Sequence, residues 1–295
     1  MTRANLKIIE ELKEFISIVT QSPVLLKNFT TTDCAFTRKR KLPFSHLVLL
    51  IVKLCKKTLS IEIEKFFEEM NLSTSCSVSA FCQQRMKLDS IFYEVWNKLL
   101  CASYYHYYGS EVKRWKGYRL IAADGSNISL VKTPALEGYF GGQSNQMGTF
   151  VQAKAYYCYD VLNELILLAK LVPYRTGELN IAYAATDNLE EDMLMIYDRN
   201  FCNYKMVALH TWREKEIKFI IRAKETQKVI RSFIQSGNVS DLVYLKPTPS
   251  SIVGLYKNGF IIDRHPAEST VGKGRVRQSS RGVDDKFMGR RRIFK

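Results

Sequence analysis

Hydrophobic residues recur every three or four positions through the first part of the chain, which is the pattern of amphipathic helices. The spacing occurs near the N-terminus, again after Pro43, and in a third run between Phe81 and Leu100. Residues 73–90 favour a short helix, a turn and the start of a second helix. The sequence therefore predicts an all-helical domain over residues 1–115.

The pattern changes near Gly117 to apolar runs of strand length that alternate with helical segments. Two of the strands are separated only by residues 161–163, which predicts a hairpin. Together the segments predict an α/β fold with a mixed sheet and helices packed on it. The strand-like runs lie within residues 118–130, 149–160, 164–175, 193–201 and 217–224, and the predicted helices cover residues 178–191 and 204–212. The first of these strands is expected to end at Asp124-Gly125 and the fourth at Asp198.

The last part of the chain has a different composition. Residues 225–262 favour strands with polar turns. Residues 264–295 contain ten Lys/Arg, three Asp/Glu and four glycines, and few hydrophobic residues. Such a segment buries too little apolar surface to fold, so we expect a basic, disordered tail. The predicted domains are 1–115, 116–263 and 264–295.

The charge of the whole chain points to an anionic partner. Lys and Arg number 44 against 29 Asp and Glu, a formal net charge of +15. Nucleic acid is the commonest such partner, although an anionic membrane surface fits the charge alone. No apolar run approaches the ~20 residues of a membrane span. The seven cysteines include no CxxC pair, so we expect reduced thiols in a cytoplasmic protein.

A basic cluster marks the helical domain as a candidate DNA-binding region. Basic side chains neutralise phosphates and release counterions, which gives affinity for DNA without reading its sequence. The alternative is an ordinary helical bundle with a charged surface. The cluster consists of Arg38, Lys39, Arg40 and Lys41, with Lys53, Lys56 and Lys57 in the same region.

Two aspartates are candidate metal ligands. Asp124 and Asp198 each follow a strongly hydrophobic predicted strand. If these strands are neighbours, the two carboxylates converge, and a divalent cation would relieve their repulsion. Mg²⁺ accepts one or two carboxylates together with waters and phosphate oxygens. The alternative is that both are turn residues, as Asp160 is expected to be at the start of the hairpin.

Three segments together resemble the DDE transposases of bacterial insertion sequences, and most closely the IS-four-like group that carries the YREK signature. In chain order these are IAADGSNISL, the stretch from YFGGQSN to TGELNIA, and MLMIYDRNF. The resemblance covers roughly residues 35–262. It implies a ribonuclease-H-like core behind a helical DNA-binding domain, and Mg²⁺- or Mn²⁺-dependent cleavage and strand transfer of transposon-end DNA.

The same resemblance implies roles for particular residues and partners. Asp124 would be the first catalytic carboxylate and metal ligand and Asp198 the second, with Arg199 completing the family's usual DR pair on the DNA. The implied partner is double-stranded DNA, both transposon ends and target, bound by a homodimer. A transposase of this kind would be cytoplasmic and associated with the bacterial nucleoid.

The sequence departs from the family at the third catalytic residue. That residue should be a glutamate in a Tyr-x2-Arg-x3-Glu-x6-Lys helix, but none of the tyrosines after Asp198 has Arg three positions later. We therefore expect an incomplete core, a tail read out of frame, and a transposase with defective catalysis. The alternative is a non-enzymatic DNA-binding remnant or an inhibitor of an intact transposase. A nuclease on the same core would need a third acid nearby.

Overall fold

The structure, a computed structural model, describes residues 2–38, 40–53, 57–146, 148–211, 216–245, 272–278 and 291–294. The chain divides into two units, Met1–Val112 and Lys113–Lys295. The sequence placed the corresponding boundary at residue 115. Lys39 lies outside the described residues, as do residues 246–262 of the region 225–262 in which strands were expected.

Helices make up the first unit, as the periodicity of its hydrophobic residues predicts. Helix α1 is capped by Thr2, whose hydroxyl accepts from the Asn5 amide at 3.2 Å. Helix α5 begins in the same way at Ser77, whose hydroxyl accepts from Ala80. The helices are α1 (Arg3–Gln21), α2 (Pro23–Lys27), α3 (Phe44–Lys53), α4 (Leu59–Glu69), α5 (Val78–Arg85) and α6 (Ile91–Tyr108).

Two apolar clusters hold these helices together. In one, the fully buried ring of Phe92 lies 5.8 Å from Phe15, 5.5 Å from Phe29 and 5.1 Å from Phe44, between ring centres. The other cluster joins α3, α4 and α5 around buried Phe81. Burial of large aromatic side chains contributes most of the apolar area in such small cores.

The second unit is a mixed sheet with helices, which confirms the predicted α/β class. Strands β1, β5 and β6 are parallel, whereas β3 pairs antiparallel with β1, β2 and β4. The strand order is β2-β3-β1-β5-β6-β9-β8-β7, with β4 also on β3. The elements are β1 (Arg119–Leu130), α7 (Pro134–Phe140), β2 (Gly142–Asn145), β3 (Gly148–Asp160), β4 (Leu165–Pro173), α8 (Glu178–Ala185), β5 (Met193–Tyr197), α9 (Tyr204–Thr211), β6 (Lys218–Arg222), α10 (Lys228–Gln235), β7 (Ser240–Leu245), β8 (Gly272–Gln278) and β9 (Arg291–Phe294).

One face of this sheet carries the main core. Alternate residues of β1, β5 and β6, among them Ile121, Met195 and Phe219, are fully buried there. Residues of α8, α9 and α10 belong to the same cluster, so these helices cover that face. The opposite face therefore presents the intervening positions of the same strands, because side chains alternate along a strand.

One expectation about the C-terminal part is wrong. Residues 228–235 form helix α10 where strands were expected, because Ile230, Phe233 and Ile234 recur at helical spacing and pack on the core. In the segment 264–295, where a basic, disordered tail was expected, the described residues 272–278 and 291–294 form strands β8 and β9. Strand β8 pairs with β7 and β9, and β9 pairs with β6, so main-chain hydrogen bonds form there despite the low apolar content.

A buried arginine couples the stability of the second unit to pH. Arg119 Nε donates to Asp192 at 2.9 Å, and Arg114 donates to the same carboxylate at 2.7 Å. Partial burial alone would raise the pKa of Asp192, but the hydrogen bonds and charges of the two arginines outweigh it and hold that pKa below its ordinary value of 3.8. The ionised carboxylate is therefore stabilised in the folded state.

Because the pKa of Asp192 is lower in the folded than in the unfolded chain, its contribution is complete above about pH 4 and disappears as the pH falls through the folded value. We expect Asp192→Asn to lower the free energy of unfolding at pH 7 and to flatten its decline below pH 4. Urea unfolding between pH 2.5 and 7 measures both effects. A variant with the wild-type acid slope would contradict the assignment.

Candidate functional site

Asp124 and Asp198 occupy neighbouring positions on adjacent parallel strands. Ala123 of β1 is paired with Tyr197 of β5. Asp124 directly follows Ala123 in the sequence, and Asp198 directly follows Tyr197. The backbone of Asp198 is still extended there. Neighbouring strands lie about 4.8 Å apart, so the two Cα atoms are close and both side chains lie on the same face. The two strands are therefore neighbours, which is the arrangement that the sequence argument required.

Asp124 does not end its strand, contrary to the sequence prediction. Strand β1 continues to Leu130, where it is paired with Val151 of β3. The parallel partner β5 ends at Tyr197. The antiparallel partner β3 is longer and stays paired with β1 for seven residues beyond Ala123. Asp124 consequently sits where β5 ends and β1 continues. Its side chain is exposed, and one carboxylate oxygen accepts from the Gly125 amide at 2.9 Å.

Residues of the neighbouring strands β3 and β6 lie beside the two aspartates in the sheet. Tyr157 of β3 is paired with Asp124, and Arg222 comes one position after the Tyr197–Ile221 pair of β5 and β6. An Arg222 Nη atom lies 3.6 Å from an Asp198 carboxylate oxygen, and both side chains are nearly half exposed. This ion pair places a positive charge beside Asp198.

Basic residues surround a cavity beside Asp198. The cavity has a volume of about 480 Å³ and is lined by Arg199, Asn200, Arg222, Ala223, Lys224, Glu225 and Thr226. Next to this lining, Phe201 is fully buried, and Gln227 Nε2 donates to the Cys202 carbonyl at 2.8 Å. The three cations outnumber the one acid of the lining, which suits a phosphate group.

The described residues contain no group of three or more His, Cys, Asp or Glu side chains placed to hold a metal ion. Another acid, Glu178 of α8, lies against β1 next to Asp124, since its carboxylate occupies the space that a Cβ at Gly125 would need. Gly125 and Asp124 face opposite sides of the sheet because side chains alternate. Glu178 therefore lies across the sheet from the aspartate pair. Two exposed carboxylates still fit the one or two that Mg²⁺ accepts.

The basic cluster of the first unit lies beside helix α5. Arg38, Arg40 and Lys41 are all exposed, and the Lys41 ammonium donates to the Ser75 carbonyl at 3.3 Å just before the helix. Lys39, predicted with them, lies outside the described residues.

Asp160 has the turn role that the sequence predicts for it, the role that was the alternative for Asp124 and Asp198. It is fully buried, and its carboxylate accepts from the amides of Leu162 and Asn163, each at 3.2 Å, and from the Asn163 side chain at 2.8 Å. Residues Val161–Asn163 and Glu164 form the hairpin turn between β3 and β4. Asp160 is thus a structural residue, whereas Asp124 and Asp198 are exposed.

This difference predicts opposite outcomes for two alanine variants. Asp160→Ala leaves buried donors without an acceptor and should lower the free energy of unfolding by about 3 kcal/mol. Asp124→Ala removes an exposed side chain and should change it by less than about 0.5 kcal/mol. Urea unfolding followed by circular dichroism measures both. A large loss in Asp124→Ala would mean that this aspartate is also structural.

Two basic residues of the site were not singled out from the sequence. Arg222 and Lys224 end a hydrophobic strand two positions apart, in the stretch IKFIIRAK. The end of a buried strand was the signal used for the aspartates, and it applies equally here. What the sequence did not indicate is that β6 lies next to β5 in parallel, which brings Arg222 to Asp198.

A scan against protein-family models finds no match for this chain, and a search of curated proteins finds none either. The functional interpretation therefore depends on the geometry of the two sites and on the sequence resemblance.

Proposed function

We propose that this protein binds DNA and is related to the DDE transposases, with a ribonuclease-H-like core. The observation that carries the proposal is the position of Asp124 and Asp198, one step beyond the paired residues Ala123 and Tyr197 of adjacent parallel strands. A mixed sheet with two carboxylates side by side and cations next to them suits the binding of a divalent ion and a phosphodiester.

Asp124 and Asp198 are the residues that would hold Mg²⁺ or Mn²⁺. When bound, such an ion would supply activation of a water or a 3′-hydroxyl and stabilisation of the leaving oxygen of a phosphodiester. Arg199, Arg222 and Lys224 would hold the phosphate in the adjoining cavity. Arg222, which lies 3.6 Å from Asp198, would then contact both the carboxylate and the phosphate.

A DNA-binding protein without cleavage activity is the second candidate. The observation that favours it is that the described residues provide no cluster of three acids. With only two carboxylates the ion would be held weakly, and strand cleavage should be slow or absent. In that case the helical unit would still bind DNA through Arg38, Arg40 and Lys41.

Binding and cleavage assays on duplex DNA carrying the ends of the element separate these candidates. We expect the purified chain to shift duplexes with the terminal sequences, and to nick them slowly or not at all in Mg²⁺ or Mn²⁺. Nicking that is lost in Asp124→Asn would identify an active transposase. Binding without nicking would favour the non-enzymatic candidate, and a chain that shifts no duplex DNA would refute both.

A further inference from the structure

We propose that helix α5 of the first unit reads base edges in the major groove of DNA, while the basic residues beside it hold the phosphates. The inference rests on the proposed DNA-binding function and specifies which surface performs it. It is carried by three features of the first unit, namely the burial of one side of α5, the polar character of its other side, and the cationic cleft alongside.

The first feature is that α5 is anchored by one side only. Phe81 is fully buried against Leu47 and Leu50 of α3 and against Phe66 and Phe67 of α4. The segment that follows the helix is also held in place, because the Thr31 amide donates to the Lys87 carbonyl at 2.9 Å. A helix held in this way by a three-helix core is rigid and presents its remaining side to a partner.

The second feature is the exposed stripe on that remaining side. Ser79, Gln83 and Met86 follow one another at i, i+4 and i+7, and all three are exposed. Met86 is 76% exposed, which is unusual for a large apolar side chain. Val78, in the first turn, is exposed as well. The stripe therefore combines a hydroxyl, an amide and apolar groups, with no charge among them.

The third feature is a cleft between α5 and the basic cluster. It has a volume of about 760 Å³, and its walls include Arg40 and Lys41 on one side and Gln83 and Lys87 on the other. A smaller cavity of about 260 Å³ adjoins it and adds Arg38. Neither set of lining residues includes an acid. The cleft thus places at least four cations along one flank of the helix.

These features match the chemistry of the major groove. The groove is about 12 Å wide and admits a helix, and an eight-residue helix is about 12 Å long. A glutamine can form two hydrogen bonds to adenine, and apolar side chains contact the thymine methyl group. Gln83 with Met86 therefore suits A·T pairs, and the four cations suit the phosphates that border the groove. The aromatic ring of α5, Phe81, is buried, which disfavours the base stacking used for single strands.

The test uses the full chain and a pool of randomised 20-base-pair duplexes. After rounds of selection, fluorescence anisotropy measures affinity for the selected duplex, for a scrambled duplex and for a single strand. We expect Gln83→Ala to weaken binding to the selected duplex by about 5- to 100-fold and binding to the scrambled duplex by less than twofold. Gln21→Ala, an exposed glutamine of α1, is the matched control and should change neither value.

The outcomes separate this inference from the proposed function. If the wild type selects a sequence and Gln83→Ala binds it equally well, α5 is not the reading helix, while DNA binding stands. Binding to all duplexes without preference also overturns the inference alone. A Gln83-dependent preference for the single strand would assign α5 to another ligand. A chain that binds no duplex at all overturns the inference and the proposed function together.

Discussion

Replacing Asp124 or Asp198 by asparagine is expected to abolish measurable Mn²⁺ binding. Each variant keeps a side-chain oxygen in place but removes one of the two negative charges that attract the ion. Removing a residue that only hydrogen-bonds to a metal ligand lowers metal affinity by about 10- to 100-fold. Removing the charge of a ligand itself should therefore lower the affinity for Mn²⁺ by at least about 100-fold. Because both aspartates are exposed, the fold should tolerate either change.

Titration with Mn²⁺, followed by the electron paramagnetic resonance signal of the free ion, measures this effect. Asp187→Asn is a suitable control, because that exposed aspartate precedes β5 and so lies toward the other end of the strand from Asp198. The control should bind Mn²⁺ as the wild type does. If Asp124→Asn and Asp198→Asn also bind as the wild type does, the pair is not a metal site. If only one has an effect, the two carboxylates do not share an ion.

The affinity for duplex DNA is expected to fall about a thousandfold between 50 and 200 mM salt. The chain carries a net charge of +15, and six or more phosphate contacts produce a fall of this size through counterion release. Substituting both Arg38 and Arg40 by alanine should weaken binding to any duplex. It should also lower the slope of log affinity against log salt by about two.

Fluorescence anisotropy of a labelled 30-base-pair duplex at several KCl concentrations gives the slope. The matched control replaces Lys13 of α1 and Lys98 of α6, two exposed lysines of the same unit that do not line the cleft. Both double variants have the same net charge, so they differ only in where the charge is lost. Equal slopes for the two would show that the basic cluster makes no particular contact with the phosphates.

Local patterns were sufficient to predict much of the fold. Period-3.6 spacing predicted α1, α3 and α6 of the first unit, and apolar runs predicted β1, β3, β4, β5 and β6. The hairpin was predicted from its short connection, and Asp160 from its place at the strand end. These features depend on residues near one another in the chain, which is why a sequence reveals them.

Some elements were missed because short segments depend on their surroundings. Helix α7 and strand β2 are only seven and four residues long, and neither has enough residues to show a period. The tail strands β8 and β9 are stabilised by their antiparallel partners rather than by apolar side chains. The extension of β1 past Asp124 likewise depends on the length of β3.

The sequence by itself determined the chemistry that this protein can offer: an excess of cations, a basic cluster at residues 38–41, and aspartates at the ends of apolar runs. The tertiary structure decided which of these residues meet. The parallel pairing of β1, β5 and β6 brings Asp124, Asp198 and Arg222 side by side, and the three-helix core sets α5 against Arg40 and Lys41. Strand order and helix packing join residues far apart in the chain, and no local pattern specifies that order.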